Sequence, residues 1–301
     1  MRNLFLLFVL TIFLNASSQE IKTIAFAQDD LSNDFRKAQM LEVQDTIAKY
    51  PNLRFVHSNA KGQTSLMIRQ IEKFIAQKVD LIIVGTNDEE AVVPVIDKAY
   101  KLGIAIIILD RGINGENYTA FLHSDNIHIG SIGAEYIVKR LKGKGRVLLL
   151  EGLQKADVTK LRSKGFLDVV AQYPDIEVLK MVGNYLRKDT IVAMEKFIAE
   201  GKQVDAIFSE SDSMLSGVRS AQIRNGINPA SVITVGCDYT SEAQKAIGKG
   251  MQSASVLFPL GGVQSVETAL KIFANEQVPK DIIIPVKLVT DENHKKVKPI
   301  F

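Results

Sequence analysis

Two apolar segments of this chain end in acidic residues, and these acids are the first candidates for chemistry. The segment that begins at Ile104 (IAIIILD) ends at Asp110 and is followed directly by Arg111. The segment that begins at Val232 (VITVGCD) ends at Asp238, at the corresponding place in the second half. Carboxylates accept hydrogen bonds from vicinal hydroxyls and a guanidinium donates them in a fixed fork. This combination of hydrogen-bonding groups is suited to binding a neutral polyol.

A structural interpretation of the same acids is the alternative. Asp110 could pair only with Arg111 or cap a turn, and Asp238 could cap a helix that begins near Ser241. The matching positions of the two aspartates in the two halves favour the binding interpretation.

Polar and aromatic residues follow other apolar segments. Asn33 and Phe35 lie in the polar stretch after the first segment. An aromatic face can pack on the C–H face of a sugar ring while a neighbouring amide binds the hydroxyls. The alternative makes Phe35 a core residue of the next helix. Tyr185 is a similar candidate in the second half, and Ser211 follows the end of a further apolar segment. The neighbouring Asp212 could serve merely as the cap of the next helix.

Sequence motifs of catalysis are missing. The 301 residues contain no Gly-x-Ser-x-Gly, no His-Glu-x-x-His and no phosphate-binding loop. The single cysteine, Cys237, excludes an internal disulfide and a zinc site built on cysteine pairs. The four histidines have no triad or metal-ligand spacing. We therefore expect no catalytic residues, no cofactor and no metal.

Length and charge narrow the class further. The chain is long enough for two domains of about 150 residues each, and its 46% hydrophobic content is typical of folded protein. Its 37 Lys and Arg are interspersed with 34 Asp and Glu. A nucleic-acid binder usually carries a concentrated basic face, so nucleic acid is not expected as a partner.

The amino terminus has the pattern of a secretory signal. A basic start precedes the apolar residues 4–14 (LFLLFVLTIFL), a run too short for the ~20 residues of a membrane span. Small residues before Gln19 suit cleavage, so residues 1–18 are predicted to be a signal peptide and the mature protein to be periplasmic. The alternative is a buried amino-terminal helix.

The elements that position these residues alternate regularly. Short Ile- and Val-rich segments begin at residues 22, 53, 79 and 104, and again at 146, 176, 204 and 232, with amphipathic segments of helical length between them. This is the βαβ pattern of a parallel sheet covered on both faces. Parallel sheets bind ligands at the carboxyl ends of their strands. Two α/β lobes of Rossmann type would therefore form a cleft between their strand ends.

The carboxyl-terminal residues read as two late strands, 251–257 and 281–289, separated by a helix over 262–273. We expect these strands to complete lobes begun earlier, through a hinge of several chain crossings. The predicted lobes are residues 19–124 with 258–286, and residues 125–257 with 287–301.

These segments together resemble the ribose-binding family of periplasmic sugar-binding proteins, the type I group. The most specific motifs are Asp110-Arg111, the SDN at residues 124–126, Arg162 through Gly165-Phe166, and the VGCD that ends at Asp238. The resemblance covers essentially the whole mature chain. It implies that sugar is contacted by Asn33, Phe35, Asp110, Arg111 and Asp238, and that Tyr185 replaces a stacking phenylalanine.

Departures from the family pattern concern the identity of the sugar. Ribose binders have two successive phenylalanines where this chain has Phe35-Arg36, a pair closer to the Trp-Arg of furanose binders. Ser211 stands where an asparagine is expected. Arg162 best matches the pocket arginine of the second lobe, with Lys160 as the alternative. A furanose, another pentose or autoinducer-2 therefore stays open beside ribose.

The resemblance implies a function without catalysis. A monosaccharide would be captured between the lobes, by a monomer, and delivered to the membrane permease of an ABC importer. In the alternative, the loaded protein presents a sugar or autoinducer-2 to a chemoreceptor or a histidine kinase. Lactose-repressor-type regulators share the core fold but carry a helix-turn-helix domain of about 60 residues. Only residues 19–21 separate the signal from the first strand, so this reading is disfavoured.

Overall fold

The computed structural model describes residues 20–301, and the predicted signal peptide lies outside the described residues. Strands and helices alternate through this part of the chain. The strands are β1 Lys22–Gln28, β2 Leu53–Asn59, β3 Leu81–Gly85, β4 Ala105–Leu109, β5 Ala120–His123, β6 Gly145–Glu151, β7 Ile176–Val182, β8 Ala206–Ser209, β9 Ile233–Asp238, β10 Ala254–Leu257, β11 Asp281–Ile283 and β12 Lys287–Thr290. The helices are α1 Asp34–Ile47, α2 Thr64–Ala76, α3 Val93–Lys101, α4 Asn126–Leu141, α5 Asp157–Val170, α6 Arg187–Ala199, α7 Asp212–Arg224, α8 Ser241–Gly248 and α9 Gly262–Phe273.

The strands form two six-stranded sheets. The first has the order β11-β5-β4-β3-β1-β2 and is parallel throughout, and the second has the order β12-β10-β9-β8-β6-β7. In the second sheet, β12 runs antiparallel to β10. Central strands such as β3 and β4 are rich in β-branched residues and almost wholly buried, as expected for strands covered on both faces.

Each sheet has one apolar core on either face, because successive residues of a strand point to opposite sides. In β1, Ala25 and Ala27 belong to one core, which α2 and α3 cover. Ile24 and Phe26 belong to the other, which α1 and α9 cover. Since helices fill both faces, the free parts of each sheet are its strand ends.

The chain passes between the sheets three times, at residues 124–125, 258–261 and 284–286. The third crossing corrects the prediction of one late strand over 281–289. Pro285 lacks a backbone N–H and interrupts the strand pattern. The segment therefore splits into β11, which joins the first sheet, and β12, which joins the second.

The two-lobed α/β fold predicted from the sequence is confirmed. Strand β5, in a stretch where no strand was predicted, is only four residues long. Within residues 20–301, no helix has both the length and the apolar character that a membrane crossing requires.

Candidate functional site

The carboxyl ends of the two sheets face each other across a small cavity. It lies between the lobes, where the βαβ pattern predicted a cleft. Every residue proposed from the sequence contributes to its wall: Asn33, Phe35, Arg36, Asp110, Arg111, Arg162, Tyr185, Ser211 and Asp238. The wall also contains three residues that were not proposed, Val158, Ser213 and Phe258.

In the first lobe, two acids and two arginines form a buried quartet. Arg36 Nη1 lies 2.6 Å from Asp110 Oδ2, and Arg111 Nη1 lies 2.9 Å from Asp29 Oδ2. Arg36 Nε also lies 3.7 Å from Asp29 Oδ1. The alternative in which Asp110 pairs only with Arg111 is therefore wrong, because the partner of Asp110 is Arg36. The four charges cancel, which makes their burial tolerable.

The quartet keeps unused hydrogen-bonding capacity. Arg36 Nη2, Asp110 Oδ1 and Arg111 Nε are buried and have no hydrogen-bond partner among the described residues. Buried polar atoms in folded proteins are nearly always paired. Since all three side chains line the cavity, a polar molecule in the cavity could satisfy these atoms.

In the second lobe, Asp238 reaches the cavity without capping a helix. The cap of α8 is Thr240, which accepts from Ala243 N, so the alternative that makes Asp238 the cap is wrong. Burial raises the pKa of the Asp238 carboxyl well above its ordinary value, and the nearby charge of Arg162 acts in the opposite direction. The carboxyl is thus a strong candidate for hydrogen bonding to a buried hydroxyl.

Arg162 is fixed by neutral acceptors. Its Nε donates to Asn126 Oδ1 at 2.8 Å, and its Nη1 donates to the main-chain oxygen of Glu210 at 2.7 Å. The guanidinium also lies 4.6 Å from the ring centroid of Phe258. These contacts aim a rigid cation at the cavity. Lys160, the alternative, instead pairs with Glu89 at the surface, 2.6 Å away.

The two aromatic residues proposed from the sequence differ in their surroundings. Phe35 is 7% exposed and stacks on Phe258, with ring centroids 5.2 Å apart. Phe35 therefore lines the cavity and also packs in an apolar core. Its position agrees with both the binding interpretation and the core interpretation. The hydroxyl of Tyr185 lies 2.8 Å from Thr159 Oγ1, and the guanidinium carbon of Arg111 lies 5.4 Å from the Tyr185 ring centroid.

Hydrogen bonds between the lobes hold the cleft closed around the cavity. Asn33 Nδ2 donates to the main-chain oxygen of Tyr185 at 2.9 Å, and Asn33 Oδ1 caps α1. Gly112 N donates to Asp157 Oδ2 at 2.7 Å. The structure is therefore the closed form of a two-lobed protein.

Ser211 has the capping role expected of Asp212, and it lines the cavity as well. Ser211 caps α7 by accepting from Met214 N, so the alternative that assigned the cap to Asp212 is wrong. Asp212 accepts from Tyr239 N and Ser255 Oγ, both at 2.7 Å, and so holds the loop after Asp238. Burial raises the pKa of Asp212 to about 6.

The three residues missed from the sequence carried weaker signals. Phe258 directly follows β10, so the strand-end rule that selected Asp110 and Asp238 applies to it as well. Val158 and Ser213 lie in the first turns of α5 and α7. Nothing in their residue types distinguishes them from ordinary helix positions. Within residues 20–301, no group of three His, Cys, Asp or Glu side chains is arranged to hold a metal ion.

Two doubly wound lobes that close over a cavity at their strand ends define a type I periplasmic binding protein. The chain belongs to the family described as periplasmic binding protein domain, whose sequence model matches residues 24–277. Membership in this family implies a location outside the cytoplasm.

Individual relatives are distant but cover most of the chain. The ribose import binding protein of Bacillus subtilis is 25% identical over 280 residues, which are 92% of this chain and 90% of that protein. The xylitol-binding protein of Mycolicibacterium smegmatis is 26% identical over 286 residues, 92% of this chain and 80% of that protein. The resemblance to the ribose-binding family is thereby confirmed, and these relatives are substrate-binding proteins.

A solved structure agrees in fold over nearly its whole length. An ABC transporter solute binding protein from Bacillus halodurans, with bound myo-inositol, superposes with a TM-score of 0.87 at 27% identity. The match covers 93% of this chain and 98% of that chain.

Proposed function

We propose that this protein captures a monosaccharide, a pentose or a sugar in furanose form, between its two lobes in the periplasm. The observation that carries the proposal is the interlobe cavity lined by Asp110, Asp238 and three arginines, with polar atoms that lack protein partners. We further propose that the loaded protein delivers the sugar to the permease of an ABC importer and catalyses no reaction.

Charge balance at the cavity supports a neutral ligand. Arg36 and Arg111 are opposed by Asp110 and the adjacent Asp29, so this quartet carries no net charge. A charged ligand would leave an uncompensated buried charge, which is costly. A polyol adds no charge and can both donate to the carboxylates and accept from the guanidiniums. Each such bond to a charged group contributes roughly 1.5–3 kcal/mol.

The cavity volume supports a small ligand. In the closed form, the space open to the centre of a water-sized sphere is only about 30 Å³, so a large ligand does not fit. Ribose, xylitol and myo-inositol, named for the relatives above, are all small and polyhydroxylated. Phe35-Arg36 in place of two phenylalanines favours a furanose or a pentose other than ribose.

Binding is coupled to closure in this proposal. Each lobe supplies part of the wall, so only the closed form makes every contact, and a ligand that touches both lobes shifts the population towards it. Closing also removes water, which strengthens each polar bond. A dissociation constant near ~1 µM, or about −8 kcal/mol, is within the reach of several such bonds.

A thermal-shift screen over pentoses, hexoses and polyols tests the proposal. At a concentration about 1,000 times its dissociation constant, a true ligand stabilises the folded protein by roughly 4 kcal/mol. X-ray scattering with and without that sugar then measures closure. The absence of a shift with every carbohydrate would contradict the proposal.

The proposed partner and location have their own test. A strain that lacks the gene should lose uptake of the radiolabelled sugar, and mass spectrometry of the secreted protein should find a new amino terminus near Gln19. Unchanged uptake with loss of a chemotactic or transcriptional response would indicate the sensing alternative instead.

A further inference from the structure

Glu210 is a buried acid directly behind the cavity wall. It follows β8, has no exposed surface, and does not line the cavity. Its carboxylate accepts from Gly152 N at 2.8 Å, from Ser163 Oγ at 2.8 Å, and from the Tyr185 hydroxyl at 3.2 Å. No role proposed above uses this side chain.

Two cavity residues are attached to Glu210. Its side chain holds the hydroxyl of Tyr185, and its main-chain oxygen holds Arg162 Nη1. Gly152 packs closely against the Tyr185 ring, because a Cβ on Gly152 would lie 2.0 Å from Tyr185 Cζ. The Tyr185 ring therefore fits only where residue 152 has no side chain.

Tyr185 contacts residues of the opposite lobe in the closed form. Asn33 of the first lobe donates to its main-chain oxygen, and Arg111 of the first lobe lies over its ring. Tyr185 has a φ of 59° and its neighbour Asn184 has a φ of 55°. Such backbone conformations persist only where the surrounding structure holds them.

We propose that Glu210 is the positioning residue of the cavity, which holds Tyr185 in the place where Asn33 and Arg111 meet it when the lobes close. This inference rests on the proposed function, since it assigns the control of closure around the bound sugar. The carboxylate acts on the ligand through Tyr185 and not by contact.

A double-mutant cycle tests the proposal with D-ribose, xylitol and myo-inositol as probes. Glu210→Met fills the space but accepts no hydrogen bond, and Tyr185→Phe keeps the ring but removes its hydroxyl. Each is expected to speed dissociation of the bound probe about tenfold, and the double variant is also expected to speed it about tenfold. Coupled residues give such non-additive effects.

The conservative variant separates positioning from a merely structural role. Glu210→Gln keeps an oxygen for Gly152 N and the Tyr185 hydroxyl, so its dissociation rate should stay within about threefold of the wild type. A hundredfold effect in the double variant, or equal effects of Glu210→Gln and Glu210→Met, would overturn the proposal. If Glu210→Met does not fold, Tyr185→Phe decides, and an unchanged rate in that variant overturns it.

Hydrogen exchange without any probe keeps this test separate from the proposed function. In Glu210→Met and Tyr185→Phe, amides of residues 183–186 should exchange faster than in the wild type and in Glu210→Gln. If no probe binds the wild type while this exchange pattern is found, the choice of ligand is wrong and the positioning role stands. Unchanged exchange in both variants overturns the positioning role itself.

Discussion

Asp110 and Asp238 occupy equivalent places in the two lobes. Asp110 directly follows β4 and Asp238 ends β9, and each of these strands is third in the order of its sheet. Both residues have a positive φ, 72° and 103°. Aspartate and asparagine tolerate such conformations better than most residues. The repeated strained turn aims a carboxyl group at the cavity from each side.

The paired aspartates give the first prediction. Asp110→Asn and Asp238→Asn keep a residue that accepts a positive φ but remove the charge. Because hydrogen bonds to a charged acceptor are the stronger ones, each variant should weaken sugar binding about tenfold or more, or ~1.4 kcal/mol per decade. Titration calorimetry with the sugar found by thermal shift measures the change.

Asp45→Asn is the matched control for this pair. Asp45 is an exposed carboxylate on α1, so its replacement should leave the dissociation constant unchanged. Wild-type affinity in both cavity variants would remove the aspartates from the binding site.

The second prediction contrasts two cations on α5. Arg162→Lys keeps the charge but cannot hold both Asn126 Oδ1 and the Glu210 main-chain oxygen in one planar fork. Its affinity for the sugar should fall at least tenfold. Lys160→Ala breaks only a surface ion pair of about 1 kcal/mol at most, so its affinity should fall no more than about fivefold. The reverse order of effects would restore Lys160 as the pocket cation.

Close packing of α4 against α5 gives the third prediction. A Cβ on Gly130 would lie 2.1 Å from the main-chain oxygen of Arg162, and a Cβ on Gly165 would lie 2.0 Å from that of Ile127. Gly130→Ala and Gly165→Ala must therefore separate the helices, at a cost of roughly 1–3 kcal/mol in the free energy of unfolding. Since Arg162 moves with α5, sugar affinity should fall as well.

Gly248→Ala is the control for the helix-packing variants. At Gly248 the nearest atom to a new Cβ is His294 Nε2, at 3.2 Å. Urea denaturation of Gly248→Ala should show that the free energy of unfolding changes by less than about 1 kcal/mol. Equal losses in all three variants would mean that the α4–α5 contact has no special role.

The fourth prediction concerns pH. Burial raises the pKa of Glu210 from 4.5 to about 7. Between these values the folded protein retains a proton that the unfolded chain has released, so stability from this group is present below about pH 4.5 and is lost as pH rises to about 7. Glu210→Gln does not titrate. The wild type should therefore lose about 3 kcal/mol relative to Glu210→Gln across this interval.

Urea denaturation of both proteins at several pH values measures this difference. Asp212, whose pKa is raised to about 6, is present in both proteins and cancels in the comparison. A difference that does not vary between pH 4.5 and 7 would contradict the assignment of a buried, titrating Glu210.

Periodicity was enough to predict most of the fold. The start of β1 at Lys22, the start of β2 at Leu53 and the bounds of α9 agree with the sequence prediction, because long apolar runs and amphipathic helices leave strong patterns. Short strands leave only weak sequence patterns. Strand β5 has four residues, and the segment that holds β11 and β12 carried continuous β-propensity except at Pro285.

Residue type and strand-end position were enough to find most of the cavity wall. They could not find the pairing inside it. The Arg36–Asp110 and Arg111–Asp29 pairs join residues that are far apart in sequence, whereas the sequence alone favours the adjacent residues Asp110 and Arg111 as partners. Glu210 directly follows β8 and so meets the same strand-end rule, but the sequence does not show its contact with Tyr185, on which its proposed role depends.

The late return of the chain to the first sheet affects how the protein is made. Strand β5 acquires its outer neighbour only when β11 is present, and the contacting residues His123 and Asp281 are 158 positions apart. As a nascent chain leaves the ribosome, most of the first lobe emerges early, but the edge of β5 stays unpaired until residues 281–283 have been translated. A prematurely terminated product that stops before Asp281 lacks β11 and exposes a strand edge prone to aggregation, so only chains that include β11 have a protected first sheet.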